Sequence, residues 1–226
     1  MESGAQPFDF GRKVDPKTFE KLIEDGYEVD PSKYLKDGWE LFKSRAGEFI
    51  VFTLIIGVAV AGLSRLDMFG SLAVSVVTAP LYAGLIIVVF MLFKGEPVQF
   101  GDFFKGFHFF LPLVLASFVT SILVTIGMFL LVLPGIYLMV SYMFVSMLIV
   151  DYRMEFWQAM ETSRQIVTKN WFSLFVFFLV LVAINLLGAL ALGIGLLVTG
   201  PLSACAVCCA YRDIVGLHEV GELTTE

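Results

Sequence analysis

Phe49-Ile50-Val51-Phe52-Thr53-Leu54-Ile55-Ile56-Gly57-Val58-Ala59-Val60-Ala61-Gly62-Leu63 carries no charge, and the first ionisable group after it is Arg65. A membrane-crossing helix needs about 20 mostly apolar residues. The stretch predicts a first transmembrane span over about Phe49–Leu66. Beyond a short loop holding Arg65 and Asp67, a second apolar run covers about Ser71–Phe93.

The same reading repeats outward along the chain. A third run covers about Phe109–Leu131. A fourth, Pro134–Val150, is split from it only by Leu133-Pro134-Gly135. The fifth covers about Trp171–Leu192, and the sixth, Leu196–Tyr211, follows Gly193-Ile194-Gly195. Pro and Gly at such joins suit tight turns and helix ends. The expected fold class is an all-α membrane protein. Its six transmembrane helices form three hairpins, each preceded by a cytoplasmic amphipathic interfacial helix.

Composition agrees. The chain is 58% hydrophobic and 16% charged, with a mean hydropathy of +0.85 and 23 Phe. A soluble domain is nearer half apolar and a quarter charged. The charges are also segregated, with eleven of the 21 acids in residues 1–48. This division predicts a cytoplasmic N-terminal arm with a short helix over 1–33. A six-helix membrane domain follows over 34–215, then a flexible acidic tail over 216–226. The first 45 residues are polar, so a cleavable signal peptide is not expected. The net charge of −6, with bases mixed among acids, argues against nucleic acid as a partner.

Fourteen of the fifteen Lys and Arg residues fall on one side of the six runs, and Arg65 alone falls on the other. Short loops rich in Lys and Arg stay in the cytoplasm. Both termini are therefore expected there. Trp39, Trp157 and Trp171 stand at the same boundaries, where an indole keeps its ring in the apolar zone and its N–H wet. With Arg45, Lys169 and Arg212 they are the expected interfacial anchors.

The chain also looks internally repeated. Val77-Thr78-Ala79-Pro80-Leu81 matches Val198-Thr199-Gly200-Pro201-Leu202, and Phe42-Lys43-Ser44-Arg45 loosely matches Ile166-Val167-Thr168-Lys169. The middle unit fits less well, with Phe103–His108 as lead-in and Pro134 as its proline. Units of one orientation make a parallel repeat, with Pro80, Pro134 and Pro201 in equivalent places. The alternative is resemblance by apolar composition alone.

The lead-ins have the chemistry of surface helices. Asp30-Pro31 reads as an N-cap followed by Pro at the first helical position. Tyr34, Leu35, Gly38, Trp39, Leu41 and Phe42 then form an apolar stripe beside Lys33, Lys36, Lys43 and Arg45. Glu155–Lys169 repeats the pattern with Phe156, Trp157, Met160 and Val167. Such helices lie in the headgroup plane, where they either cap the bundle or meet lipids and partners. Asp15-Pro16 starts a shorter helix with Phe19, Leu22 and Ile23 as its apolar face and Gly26 as its stop. Phe8 and Phe10 precede it. This arm is expected to pack on the cytoplasmic face or on a partner.

Chemistry-bearing residues are sparse. An ionisable residue at mid-membrane would be a functional signal. Glu48, Arg65, Asp67 and His108 instead sit at span ends, where snorkelling explains them. That argues against a proton-coupled transporter, a pump or a voltage sensor. Asn185 is the one amide inside a span. It bonds either across to Thr199 or Ser203 on a neighbouring helix or to a substrate. Ser117, Thr120, Ser121 and Thr125 fall at helical spacing and suit a close seam, with Ser141, Tyr142 and Ser146 as facing groups. Cys205, Cys208 and Cys209 read either as a redox pair with a neighbour or as small packed residues. With only His108 and His218 in the chain, a His-based metal centre is not expected. No cofactor and no catalytic set is expected either.

Several of these residues carry a resemblance. Pro134-Gly135-Ile136 opens a span. Ala159, Ser163 and Asn170-Trp171 precede the next. Leu192-Gly193-Ile194-Gly195-Leu196-Leu197 and a closing Ala210-Tyr211-Arg212-Asp213 follow. Over about residues 34–215 this resembles a broad group of six-span bacterial membrane proteins of unknown function. It is also similar to the membrane domain attached to some glycerophosphoryl diester phosphodiesterases. The resemblance implies the six-helix domain and a bacterial inner membrane. It implies no hydrolase activity, because the chain holds no hydrolase domain. Two functions are expected. The first is a non-enzymatic scaffold or subunit that meets the bilayer and a protein partner or further copies of itself. The second is a transporter or channel for a small apolar or lipid-like solute, with a path between the hairpins.

Overall fold

Ten α-helices and two 3-10 segments account for nearly all of the described chain. The computed structural model describes residues 11–65, 67–191 and 193–218, apart from the side chains of residues 16 and 67–72. Phe8, Phe10 and the side chain of Asp67 lie outside this range, as does the tail beyond residue 218. No strand occurs among the described residues, and the one isolated bridge pairs Arg12 with Met154.

The polar lead-ins start where their caps dictate. Asp15 accepts from the Lys17 amide at 3.0 Å and opens a 3-10 turn at Pro16–Phe19, which leads into α1 (Glu20–Asp25). Gly26 stops that helix with φ +77°, a conformation that costs glycine little. Asp30 accepts from the Lys33 amide at 3.0 Å and opens α2 (Pro31–Ser44).

The apolar runs then fold as α3 (Ala46–Leu63), α4 (Asp67–Phe93), α5 (Phe110–Leu130), α6 (Val132–Ser141) and α7 (Val145–Tyr152). After α8 (Phe156–Lys169) come α9 (Trp171–Leu190) and α10 (Leu196–Ile214). Among the described residues, five segments are long and apolar enough to cross a membrane: α3, residues 73–93 of α4, Phe100–Leu130, Val132–Tyr152 and α9. Successive helices touch, α3 on α4, α5 on α6 and α9 on α10.

Two expected elements differ in form. The middle lead-in is a 3-10 helix, Phe100–Phe109, running directly into α5. Asp102 accepts from the Gln99 amide at 2.7 Å and forms part of a capping box at its start. The fourth run is not one helix, because it breaks at Tyr142-Met143-Phe144 between α6 and α7. Ser163 of α8 seals the break. Its hydroxyl donates to the Ser141 carbonyl at 2.7 Å and accepts from the Phe144 amide at 3.3 Å, and Ser141 and Ser163 are both fully buried. Backbone groups freed inside an apolar environment need such partners.

The core sits around α10. Residues Ala204 to Tyr211 are buried one after another, so this stretch of the helix is covered on all sides. Its small side chains let α2 cross closely. Gly38 rests against the Ala206 backbone, where a Cβ would stand 2.7 Å from the amide nitrogen. Tyr34, Gly38 and Phe42, at i, i+4 and i+8, are the buried face of α2. An aromatic cluster fills the opposite flank, with Phe103 within 5.6 Å of Phe49 and 4.6 Å of Phe52 between ring centres.

Candidate functional site

The N-terminal segment folds back onto its own chain. Val14 donates its amide to the Gln158 side-chain oxygen at 2.9 Å, and the Gln158 amide returns a bond to the Val14 carbonyl. Arg12 pairs with the turn around Arg153, which closes α7 in the left-handed region at φ +51°. Phe19 is buried with its ring 5.1 Å from that of Tyr152. The Tyr27 hydroxyl donates to the Ile166 carbonyl at 2.8 Å. Lys169 reaches the Glu24 carbonyl at 3.0 Å, and Asn170 the Tyr27 carbonyl at 3.1 Å. Residues 11–30 are therefore held along α8.

The other short elements join this layer. Lys33 pairs with Asp213, which also accepts from the Tyr34 hydroxyl at 3.0 Å and so ties α2 to the end of α10. Asp151 accepts from the Tyr211 hydroxyl at 3.0 Å and from the His218 amide at 3.1 Å, which holds the chain after α10 against α7. Burial raises the Tyr27 and Tyr34 hydroxyls above the ordinary tyrosine range. The Arg164 guanidinium beside Glu161 holds that carboxyl below its ordinary value.

The six expected anchors all lie in or beside this layer. Trp39 is partly exposed, stacks on Phe42 at 5.7 Å and has the Lys43 ammonium 5.8 Å above its ring. Trp157 is 58% exposed. The Trp171 indole N–H donates to the Tyr137 carbonyl at 3.4 Å, and its ring stacks on Phe175 at 4.9 Å. Arg45 pairs with Glu48 at 2.7 Å where α2 meets α3. Lys169 holds the N-terminal segment. The Arg212 guanidinium lies 4.0 Å above the Phe93 ring.

Within the apolar helices, the Asn185 amide donates to Ser203 Oγ at 2.6 Å and to the Leu181 carbonyl at 2.8 Å. Ser203 is one of the two partners expected for it. Thr199, the other, presses on Gly188 and has a buried hydroxyl without a partner. Ser117 donates to the Val114 carbonyl one turn back at 3.1 Å. Ser121 and Thr125 do not form a seam within the chain, because both face outward. The α5–α6 seam is instead made where Gly127 meets Gly135 backbone to backbone. The three cysteines are free and buried in α10 as small packed residues.

The prolines singled out in the sequence fall in different settings. Pro80 and Pro201 are buried inside α4 and α10, while Pro134 is exposed in the first turn of α6. The described residues do form an open cleft of about 550 Å³ between α4, α6, α9 and α10. None of the prolines lines it. Tyr82, Asn185 and Ser203 are among its walls.

Two residues, Asp151 and Tyr82, were missed in the sequence, and Ser163 was named there only for the resemblance, without its role. Asp151 closes an apolar run and Ser163 looks like an ordinary helix-surface hydroxyl, so neither carries a local signal. Among the described residues, no group of His, Cys, Asp or Glu could hold a metal ion. Comparison of the chain with family models, with curated proteins and with solved structures found no match. The fold defines a helical protein with five helical segments, among the described residues, long and apolar enough to cross a membrane, compatible with a multi-pass membrane protein in contact with the bilayer.

Proposed function

We propose that the chain is a non-enzymatic integral membrane protein that serves as a scaffold or subunit of a membrane assembly through its cytoplasmic face. The observation that carries this reading is the braced layer of α1, α2, α8 and residues 11–30. Four side-chain to backbone links, from Gln158, Tyr27, Lys169 and Asn170, fasten the segment to α8 and its end. A surface organised before any partner arrives loses less entropy on docking.

In this reading α10 is the sixth span. Its Thr199, Gly200, Pro201, Ser203 and Arg212 dilute its apolar character, but a helix covered by protein needs no lipid-facing side chains. The three touching pairs are then three hairpins in a parallel repeat over 34–215. The basic residues put both termini and the braced layer in the cytoplasm. The resemblance to six-span bacterial proteins and to the phosphodiesterase-linked membrane domain points to a bacterial inner membrane. Native mass measurement in mild detergent tests the role. An oligomer or a co-purifying protein is expected, and a lone monomer with neither would overturn it.

The cleft favours a second reading, a transporter for a small apolar or lipid-like solute. The filled centre around α10 weighs against a path through the middle of the bundle. Reconstituted vesicles that move a lipid-like solute faster than protein-free ones would favour transport over scaffolding.

A further inference from the structure

Two residues lining the cleft, Asn185 and Tyr82, each carry a polar atom without a partner among the described residues. Asn185 commits both amide hydrogens, one to the Leu181 carbonyl at 2.8 Å and one to Ser203 Oγ at 2.6 Å. A carbonyl only accepts, so the nitrogen must face Leu181, and the amide oxygen is left over. Ser203 in turn gives its proton to the Thr199 carbonyl at 2.7 Å. The Tyr82 hydroxyl likewise has no partner among the described residues. The residues that carry this spare acceptor and spare donor thus both belong to the lining of a cleft whose remaining walls, such as Met139, Phe178 and Leu186, are largely apolar.

Among the described residues, no charged side chain lines the cleft. A phosphate or an ammonium entering it would lose its water without gaining a counter-ion. A volume of about 550 Å³ falls in the range of small-molecule sites. The rim is open sideways. Val182 is 46% exposed and Leu186 59%, and both continue the outward face of α9, where the surrounding medium would be lipid. Asn185 lies fourteen residues beyond Trp171, about 21 Å along the helix axis. It is thus far from the charged layer.

We propose that this cleft binds a neutral lipid drawn from the bilayer, an apolar chain ending in a hydroxyl and ester carbonyl, of the diacylglycerol class. A ligand hydroxyl donates to the Asn185 amide oxygen, and a carbonyl accepts from the Tyr82 hydroxyl. The proposal rests on the membrane reading of the five helices and not on the subunit role.

Gly200 supplies the means to close the site. It lines the cleft, and a Cβ there meets nothing within 4 Å. Gly200→Leu therefore adds bulk at the cleft wall from a Cβ that displaces no backbone. The experiment places the full chain in phosphatidylethanolamine and phosphatidylglycerol vesicles with a diacylglycerol carrying a diazirine in its acyl chain. A phosphatidylcholine with the same chain runs in parallel. Irradiation is expected to label α9 and α10 about fivefold more with the diacylglycerol, the effect of one hydrogen bond. Asn185→Ala should remove most of that preference, because phosphatidylcholine shares the ester carbonyls and lacks only the free hydroxyl. Tyr82→Phe should weaken labelling by both probes alike, and Gly200→Leu should abolish it. Equal labelling by both probes overturns the proposal, as does Gly200→Leu labelling that matches the wild type. If alkaline carbonate strips the protein from the vesicles, the membrane reading fails and takes the proposal with it.

Discussion

Gly106 of the 3-10 helix meets Gly84 of α4 backbone to backbone. A Cβ on Gly106 would stand 2.6 Å from the Gly84 nitrogen and 2.0 Å from the Pro80 carbonyl oxygen. A Cβ on Gly84 would stand 1.7 Å from the Phe103 carbonyl oxygen. This contact seats the aromatic 3-10 helix on α4 and lets Phe103 reach Phe49 and Phe52. Backbone cannot yield as a flexible side chain can. Gly84→Ala and Gly106→Ala should each cost about 2 kcal/mol or more. Gly101→Ala, with nothing within 4 Å of its Cβ, should stay near the wild type. Thermal unfolding in mild detergent reads all three.

Asn185 and Ser203 join α9 to α10 inside the apolar zone. Hydrogen bonds of this kind within membrane proteins couple by about 0.6 to 1.7 kcal/mol. A double-mutant cycle with Asn185→Ala and Ser203→Ala should return a value in that range. A coupling near zero would mean that the bond does not hold the two helices together.

Gln158 clamps Val14 at both its amide and its carbonyl. Gln158→Leu removes both bonds at a cost of about 1–2 kcal/mol. Limited trypsin digestion should then cut after Lys13, Lys17 or Lys21 about tenfold faster. An unchanged rate would show that the segment is held by other contacts.

Tyr27 and Tyr34 are both held protonated by burial. Their folded values lie above the unfolded one, so their stabilising effect is whole at neutral pH. It is lost as pH climbs beyond the ordinary tyrosine value of about 10. The thermal midpoint should fall between pH 9 and pH 11, windows set by that same value. Tyr27→Phe should fall less steeply over the interval while starting lower, because it lacks the bond to Ile166.

Cys205, Cys208 and Cys209 are buried together in α10. Folded protein should resist maleimide at all three thiols, and denaturant should expose them together. Rapid labelling of any one under native conditions would contradict the central position of α10.

Local chemistry was readable from the chain. Asp15-Pro16 and Asp30-Pro31 both open helical segments, because a carboxylate beside a proline satisfies free amides wherever the chain later goes. Four apolar helices, α3, α4, α5 and α9, end within a few residues of the runs that announced them. Their hydropathy is a sum over neighbours in sequence. The preference of Asn185 for a partner on α10 was also legible, since a lone amide in an apolar helix must find one.

Which apolar surface faces protein and which faces outward was not legible, because lipid and core reward the same side chains. Only the tertiary structure put α10 at the centre, where its alanines and cysteines allow close crossing. It also turned Ser121 outward, broke the fourth run at Tyr142–Phe144 and supplied Ser163 from α8 to satisfy the freed backbone. The N-terminal segment was docked on α8 by pairs more than 130 residues apart. The sequence alone thus determined the apolar runs and the caps, which depend on neighbours along the chain. The filled centre, the braced layer and the cleft were decided by contacts between residues far apart in it.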